Sequence, residues 1–175
     1  MKKILTRKEQ AQPLSATKKI LVAYFSHSGN TRVIATQIHE RVGGDILEIV
    51  TVDPYPGDYD EVVEQARKEL SEEYRPKLKT KVENMESYEV VFVGYPIWWG
   101  TIPTPVAAFL SEYDFSGKTI VPFCTHEGSH LGRSATNITK LCPQSTILDG
   151  LAVRGGGVKN AQNEVSEWLQ ELEMI

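Results

Sequence analysis

Residues 20–31 read ILVAYFSHSGNT, and the fold that the sequence predicts depends on this stretch. The uninterrupted apolar run from Ile20 to Phe25 is typical of a strand buried on both faces of a parallel sheet. Small polar residues follow, and an amphipathic pattern begins at Val33, so the stretch predicts a strand, a tight turn and the start of a helix. Hydroxyl groups and free backbone N–H groups at the positive end of a helix dipole suit a phosphate.

The turn matches neither of the common nucleotide fingerprints, GxGxxG and GxxxxGK[ST]. No Lys or Arg lies between Ser26 and Thr31, and Arg32 is the only nearby cation in the sequence. A phosphate at this turn would therefore be held by neutral donors. A strand, turn and helix that bind no ligand are the alternative interpretation.

The rest of the chain alternates strands with helices. Apolar runs predict strands at residues 20–25, 45–52, 89–95, 119–124 and 146–153, the last interrupted at Asp149-Gly150. Stripes at helical spacing predict helices near residues 33–42, 59–70, 106–113, 131–138 and 161–172. We interpret Gly155-Gly156-Gly157 as a flexible turn before the last helix. This order predicts an α/β fold with a parallel sheet and helices on both faces.

The length of 175 residues suits one α/β domain at residues 19–175, preceded by an N-terminal tail at residues 1–18. The tail has no apolar core, so it is not an intact secretory signal.

A net charge of −4 and a pI of about 5.6 argue against a nucleic-acid binder and permit basic protein partners. No apolar run approaches the ~18 residues of a membrane span, and we expect a cytoplasmic protein.

In such a sheet, ligands bind beyond the carboxyl ends of the strands, near the switch in strand order. We therefore expect the site in the loops that follow the first, third and fourth strands, at residues 26–31, 96–103 and 125–132. The second loop contains adjacent Trp98 and Trp99, whose flat surfaces would suit stacking on a planar ligand. We expect one indole to be structural and the other to touch a ligand.

Two motifs together carry a family resemblance. The sequence SHSGNT after the first strand and the sequence GYPIWWG after the third resemble the flavodoxin family. The chain is most similar to the short-chain group with a Pro-Ile-Trp-Trp-Gly loop, over Lys19 to about Leu172. The resemblance implies a three-layer sandwich, a five-stranded parallel sheet in the order 2-1-3-4-5, and non-covalent binding of FMN.

The resemblance also implies which residues bind the cofactor, and it implies neither catalytic residues nor metal ligands. The phosphate ligands would be the side chains of Ser26, Ser28, Asn30 and Thr31, with backbone groups of His27 and Gly29. The loop beside the isoalloxazine ring would be Pro96, Ile97, Trp98, Trp99 and Gly100. The second loop flanking the ring would include Thr125, His126, Glu127, Gly128 and Ser129. Gly100 is the candidate for a peptide that turns its carbonyl toward the ring, because Gly tolerates positive φ.

One departure from the family concerns the loop after the fourth strand. Many flavodoxins stack a Tyr from this loop on the ring, whereas residues 125–130 read THEGSH. An open ring face would admit a small substrate for hydride transfer. Two functions therefore remain: an electron carrier that docks on redox partner proteins, and an FMN-dependent NAD(P)H:quinone or small-acceptor oxidoreductase. A structural relative without flavin is a third interpretation, and the oligomeric state stays open.

The same loop contains HEGSH, which matches the His-Glu-x-x-His string of zinc proteases. That chemistry needs both His on one helical face, whereas this string follows a strand and has Gly128-Ser129 at its centre. We therefore expect no zinc site, and we expect His126 and Glu127 at the ring edge or in solvent. Cys124 and Cys142 are expected to be buried, neutral thiols rather than a redox pair or a disulfide.

Overall fold

The computed structural model describes residues 19–175, so the predicted N-terminal tail at residues 1–18 lies outside the described residues. The strands are β1 (Ile20–Tyr24), β2 (Asp45–Glu48), β3 (Val90–Pro96), β4 (Thr119–His126), β5 (Thr146–Ile147) and β6 (Leu151–Arg154). The α-helices are α1 (Asn30–Val42), α2 (Tyr59–Ser71), α3 (Thr104–Glu112), α4 (Ser134–Leu141) and α5 (Gln162–Glu171). Short 3₁₀ helices occupy Met85–Ser87 and Gly155–Asn160.

All strand pairs in the sheet are parallel, and the order is β2-β1-β3-β4-β5, with β6 also paired to β4. This order confirms the predicted flavodoxin-like α/β class. The fifth strand position is shared by β5 and β6, since the chain leaves the ladder at Asp149-Gly150 as the sequence predicts. A Cβ on Gly150 would lie 3.0 Å from the Pro122 carbonyl oxygen, so the chain passes close to β4 at this interruption.

Strand β2 ends at Glu48, four residues before the predicted end at Val52. The backbone beyond Glu48 pairs with another segment: Thr51 forms an antiparallel bridge with Leu78, and the Val50 N–H donates to Thr80 Oγ1 at 2.7 Å. Ile49 still donates to the Tyr24 carbonyl of β1 at 2.6 Å, and from Val50 onward the chain pairs with residues 77–80, a tertiary partner that local sequence does not specify.

The core lies in two layers on either side of the sheet, because alternate strand residues point to opposite faces. In β1, Leu21 and Ala23 face the layer covered by α3 and α4, whereas Ile20 and Val22 face the layer covered by α1 and α5. The central strands β1, β3 and β4 are buried on both faces, which explains why they read as continuous apolar runs, whereas the edge strand β2 is partly exposed. None of the helices within residues 19–175 is long and apolar enough to cross a membrane.

The prediction of a flexible turn at Gly155-Gly156-Gly157 is wrong. These residues begin an ordered 3₁₀ helix, and Val158 at its centre is buried in the layer beneath α1. The Val158 carbonyl accepts a hydrogen bond from Gln37 Nε2 of α1 at 2.9 Å. Packing of one apolar side chain therefore orders a segment whose composition favours flexibility.

Candidate functional site

The three predicted loops meet at the carboxyl edge of the sheet. The Phe25 N–H donates to the Gly94 carbonyl at 2.9 Å, and the Ile97 N–H donates to the Thr125 carbonyl at 2.9 Å, so the ladders continue to the loops. Pro96 ends β3 in register with Thr125 of β4. The structure thus brings the loops after β1, β3 and β4 together.

The turn after β1 presents the N-terminus of α1. Gly29 precedes the helix in the left-handed conformation, with φ of 103°, and has no side chain to cap it. Ser26 Oγ accepts from the Arg32 N–H of the first turn at 3.4 Å. The Gly29 N–H donates to Ser26 Oγ at 3.1 Å, and the Asn30 N–H donates to Ser28 Oγ at 3.4 Å. These hydroxyls lie where an anion would accept from the same first-turn N–H groups, so the donor set fits a phosphate.

Thr31 differs from the other predicted phosphate ligands because its side chain points inward. Its exposed fraction is 1%, and its hydroxyl forms a hydrogen bond with the Thr125 hydroxyl at 2.9 Å. The side chain therefore ties the loop after β1 to the end of β4. What Thr31 offers an anion is its backbone N–H, which lies in the first turn of α1.

The charges around this turn are mixed. Arg32, the only cation close in sequence, forms an ion pair with Glu48 at 2.9 Å. The Glu127 carboxylate and the Asn30 side-chain amide both lie against Gly155, where a Cβ would clash with Glu127 Oε2 and lie 2.8 Å from Asn30 Nδ2. Glu127 therefore adds a negative charge beside the N-terminus of α1.

The two adjacent indoles have different surroundings. Trp98 packs edge-on against Phe25 and Tyr55, with ring centroids 5.3 Å and 5.2 Å away, and lies 6.2 Å from the His27 ring. Trp99 is 50% exposed, and its Nε1 donates to the Val63 carbonyl of α2 at 3.0 Å. Trp98 is thus the structural indole, and contact between Trp99 and a ligand stays a prediction.

Residues 98–101 form a tight two-residue turn. The N–H of Trp98 donates to the Thr101 carbonyl at 3.0 Å, and the N–H of Thr101 donates to the Trp98 carbonyl at 3.1 Å. The central residues, Trp99 and Gly100, both have positive φ, at 54° and 79°, as in a type I′ turn. Gly100 thus has a positive φ, the property for which it was named as the candidate for a turning peptide.

Arg133, just after the third predicted loop, holds the carbonyls of this turn. Its backbone N–H donates to the Gly100 carbonyl at 2.7 Å, and its Nη2 donates to the Trp99 carbonyl at 3.3 Å. Arg133 was not predicted as a site residue, because its contact joins two different loops. The only signal in the sequence was the position of Arg133 near the carboxyl edge of the predicted sheet.

His126 is the last residue of β4 and is buried. Its Nδ1 accepts from the Gly128 N–H at 2.9 Å, and its ring centroid lies 4.6 Å from that of His130. Burial first, and then the positive charges of His130 and Arg154, lower the pKa of His126 below its usual value. Of the cofactor-binding residues predicted from this loop, Glu127, Gly128 and Ser129 are exposed.

The His-Glu-x-x-His string is not helical, as its central residues indicate. His126 ends a strand, and His130 lies in a turn with φ of 55°. Within residues 19–175, no group of three His, Cys, Asp or Glu side chains is arranged to hold a metal.

Comparison with known protein families shows which family the chain belongs to. The model of the family described as flavodoxin matches residues 19–172. The chain belongs to the flavodoxin family. The match spans the two motifs and all the strands and helices described above, and it confirms the resemblance to the flavodoxin family drawn from the sequence.

Solved structures agree with this assignment. This flavodoxin is 35% identical to a Bacteroides eggerthii protein assigned as a flavoprotein, with a TM-score of 0.72 over 85% of this chain and 98% of the other. A similar protein from Bacteroides uniformis gives 29% identity and a TM-score of 0.78 over 87% and 98% of the two chains. A Lactobacillus acidophilus flavoprotein, solved in complex with FMN, shares the fold at 20% identity and a TM-score of 0.66 over 85% and 99%. Comparison with curated proteins finds no match.

Both cysteines of this flavodoxin are buried and unpaired, as predicted. Burial raises the pKa of Cys124 to about 12 and the pKa of Cys142 to about 11. Both thiols are therefore neutral near physiological pH, and neither has the thiolate character that redox cysteines need.

Proposed function

We propose that this flavodoxin binds FMN non-covalently at the carboxyl edge of the sheet and carries electrons between redox partners. The observation that carries the proposal is one arrangement: the N-terminus of α1, with the hydroxyls of Ser26 and Ser28 at its N–H groups, opens at the same edge as the half-exposed Trp99. The FMN complex of the Lactobacillus acidophilus flavoprotein supports the choice of flavin. When bound, FMN supplies the electron chemistry.

The residues of the chain would bind and orient the cofactor. The N–H groups of residues 26–31 and the hydroxyls of Ser26 and Ser28 hold the phosphate with neutral donors, aided by the dipole of α1. Trp99 offers an indole face, anchored through Nε1 to α2, for the ring. Arg133 fixes the turn that carries Trp99 and Gly100.

A second candidate function is reduction of a small acceptor with NAD(P)H. One observation favours it: the loop at residues 125–132 contains no Tyr or Trp, and its only rings are those of His126 and His130. One face of a bound ring would then be accessible to a small substrate. In an anaerobic absorbance titration, a carrier gives little bleaching of bound FMN with NADPH and full bleaching with dithionite, whereas a reductase bleaches rapidly with NADPH.

The proposed site is tested by Ser28→Glu, which places a carboxylate against the phosphate. We expect FMN affinity to fall by at least about 100-fold, since like charges in contact cost several kcal/mol. The measurement is a fluorescence titration of FMN with each variant. Thr139→Glu, an exposed position on α4, adds the same charge away from the turn and should leave the affinity unchanged. Equal affinities for Ser28→Glu and the wild type would overturn the placement.

A further inference from the structure

Two adjoining cavities lie next to the proposed cofactor site, and the second of them borders Trp99 and Arg133. They share Leu70, Thr101 and Asn137, and they lie between the end of α2, the start of α3 and α4. Their volumes are about 330 and 440 Å³, within the size range of pockets that hold small organic molecules. We call the two cavities together the α2–α4 cleft.

The side chains that line the α2–α4 cleft are strongly biased toward positive charge. Its basic residues are Arg67, Arg75, Arg133 and Lys140, and its one acidic residue is Glu73. This bias occurs in a chain whose net charge is −4. The four exposed cations give the cleft a local positive potential, which would attract a ligand of negative charge.

Most of these cations have no carboxylate partner. Arg67 forms an ion pair with Glu64 at 2.8 Å. Within residues 19–175, no carboxylate oxygen lies within 4.0 Å of the charged nitrogens of Arg75, Arg133 or Lys140. The guanidinium of Arg75 reaches only backbone carbonyls, those of Glu73 and Tyr74, at 3.4 Å. Much of the positive charge of the cleft is therefore available to a bound anion.

The cleft also offers apolar and planar surface. Leu70, Ile102, Ala107 and Leu141 line it, and the half-exposed Trp99 borders the second cavity. The Trp99 indole, held in place by its Nε1 bond to Val63, is the surface assigned above to the cofactor ring, so a second ligand would use the apolar lining of the first cavity. Asn137 Nδ2 donates to Thr101 Oγ1 where the two cavities join.

We propose that the α2–α4 cleft binds a small organic anion, an apolar ring system that carries a carboxylate or phosphate group. The ring would lie against Leu70 and Leu141, and the anionic group would lie toward Arg75 and Lys140, all of which line the first cavity. The proposal goes beyond the proposed function, because Leu70, Arg75 and Lys140 are not residues of the proposed cofactor site.

The test uses naphthoate as the probe and uncharged naphthamide as its matched analogue, titrated by calorimetry into the FMN-loaded full chain. We expect saturable binding of naphthoate, weaker binding of naphthamide, and a decrease in naphthoate affinity with added salt. Arg75→Gln and Lys140→Gln should each weaken naphthoate binding by about 5-fold, the upper range for one exposed ion pair. Lys159→Gln, an exposed charge outside the cleft, should leave the affinity unchanged.

Amide NMR spectra locate the probe. Shifts at Leu70, Thr101 and Asn137 support the proposal, whereas shifts confined to residues 26–31 would place naphthoate in the phosphate site and overturn it. Equal affinities for naphthoate and naphthamide, or no effect of Arg75→Gln and Lys140→Gln, would also overturn it. If the chain takes up no FMN, the proposed cofactor fails, and the same titration of the flavin-free chain still decides the cleft.

Discussion

Glu127 adds a carboxylate to a site that is otherwise built from neutral donors. Its Oε2 lies against Gly155, and the side-chain amide of Asn30, in the first turn of α1, lies against the same glycine. The nearby cation, Arg32, is already paired with Glu48. The negative charge of Glu127 thus opposes a bound phosphate, and the helix dipole and the N–H groups must outweigh it.

We predict that Glu127→Gln binds FMN about 3-fold more tightly than the wild type, because the substitution removes one exposed like charge and keeps the shape of the side chain. Fluorescence titrations at low and high ionic strength provide the measurement, and the difference should shrink in high salt. Glu89→Gln, an exposed carboxylate just before β3, is the control and should not change the affinity. A wild-type affinity for Glu127→Gln at low salt would show that Glu127 lies too far from the phosphate to matter.

At the scale of elements, the order of strands and helices could be predicted from the sequence, whereas the contacts between loops could not. Each strand and each helix has its own hydrophobic period, so their order, and hence the fold, could be predicted. The contacts of Arg133 with Trp99 and Gly100, and of Glu127 with Gly155, join different loops. No local pattern specifies such contacts, so the residues of the site were predicted only as loops and through a family resemblance.

The loop after β4 is the element expected to respond to pH. His126 is buried, its Nδ1 accepts from Gly128, and the charged groups that face it are His130, Arg154 and Glu127. Burial lowers its pKa, so the folded protein binds this proton less tightly than the unfolded chain does. The free energy of unfolding should therefore fall as the pH drops below about 6.5. The decrease should end once the pH is below the lowered pKa of His126 in the folded protein.

We predict that His126→Gln removes this part of the pH dependence, since Gln does not titrate and its side-chain oxygen can replace Nδ1 as acceptor. Urea unfolding at about pH 7.5 and about pH 5.5 measures the change in the free energy of unfolding. If His126→Gln loses as much stability between the two pH values as the wild type does, the dependence comes from other groups.

At the scale of the whole molecule, the site and the stability of the fold belong to different regions. The two core layers lie along the faces of the sheet, whereas the loops at residues 26–31, 96–103 and 125–132 extend from its carboxyl edge. Substitutions in exposed parts of these loops should alter ligand binding with little effect on unfolding. Substitutions at the centre of the sheet should do the reverse.

Gly94 in β3 tests this separation, because β3 lies between β1 and β4 and packs tightly on both. A Cβ at Gly94 would overlap the ring of Phe123, a fully buried residue of β4. We predict that Gly94→Ala lowers the free energy of unfolding by about 1–3 kcal/mol, the usual cost of overpacking a core. Gly156→Ala is the matched control, since a Cβ there has no heavy atom within 4 Å and the residue does not have positive φ. Urea unfolding of both variants should separate them, and an unchanged midpoint and slope for Gly94→Ala would mean that the Phe123 ring moves aside without cost.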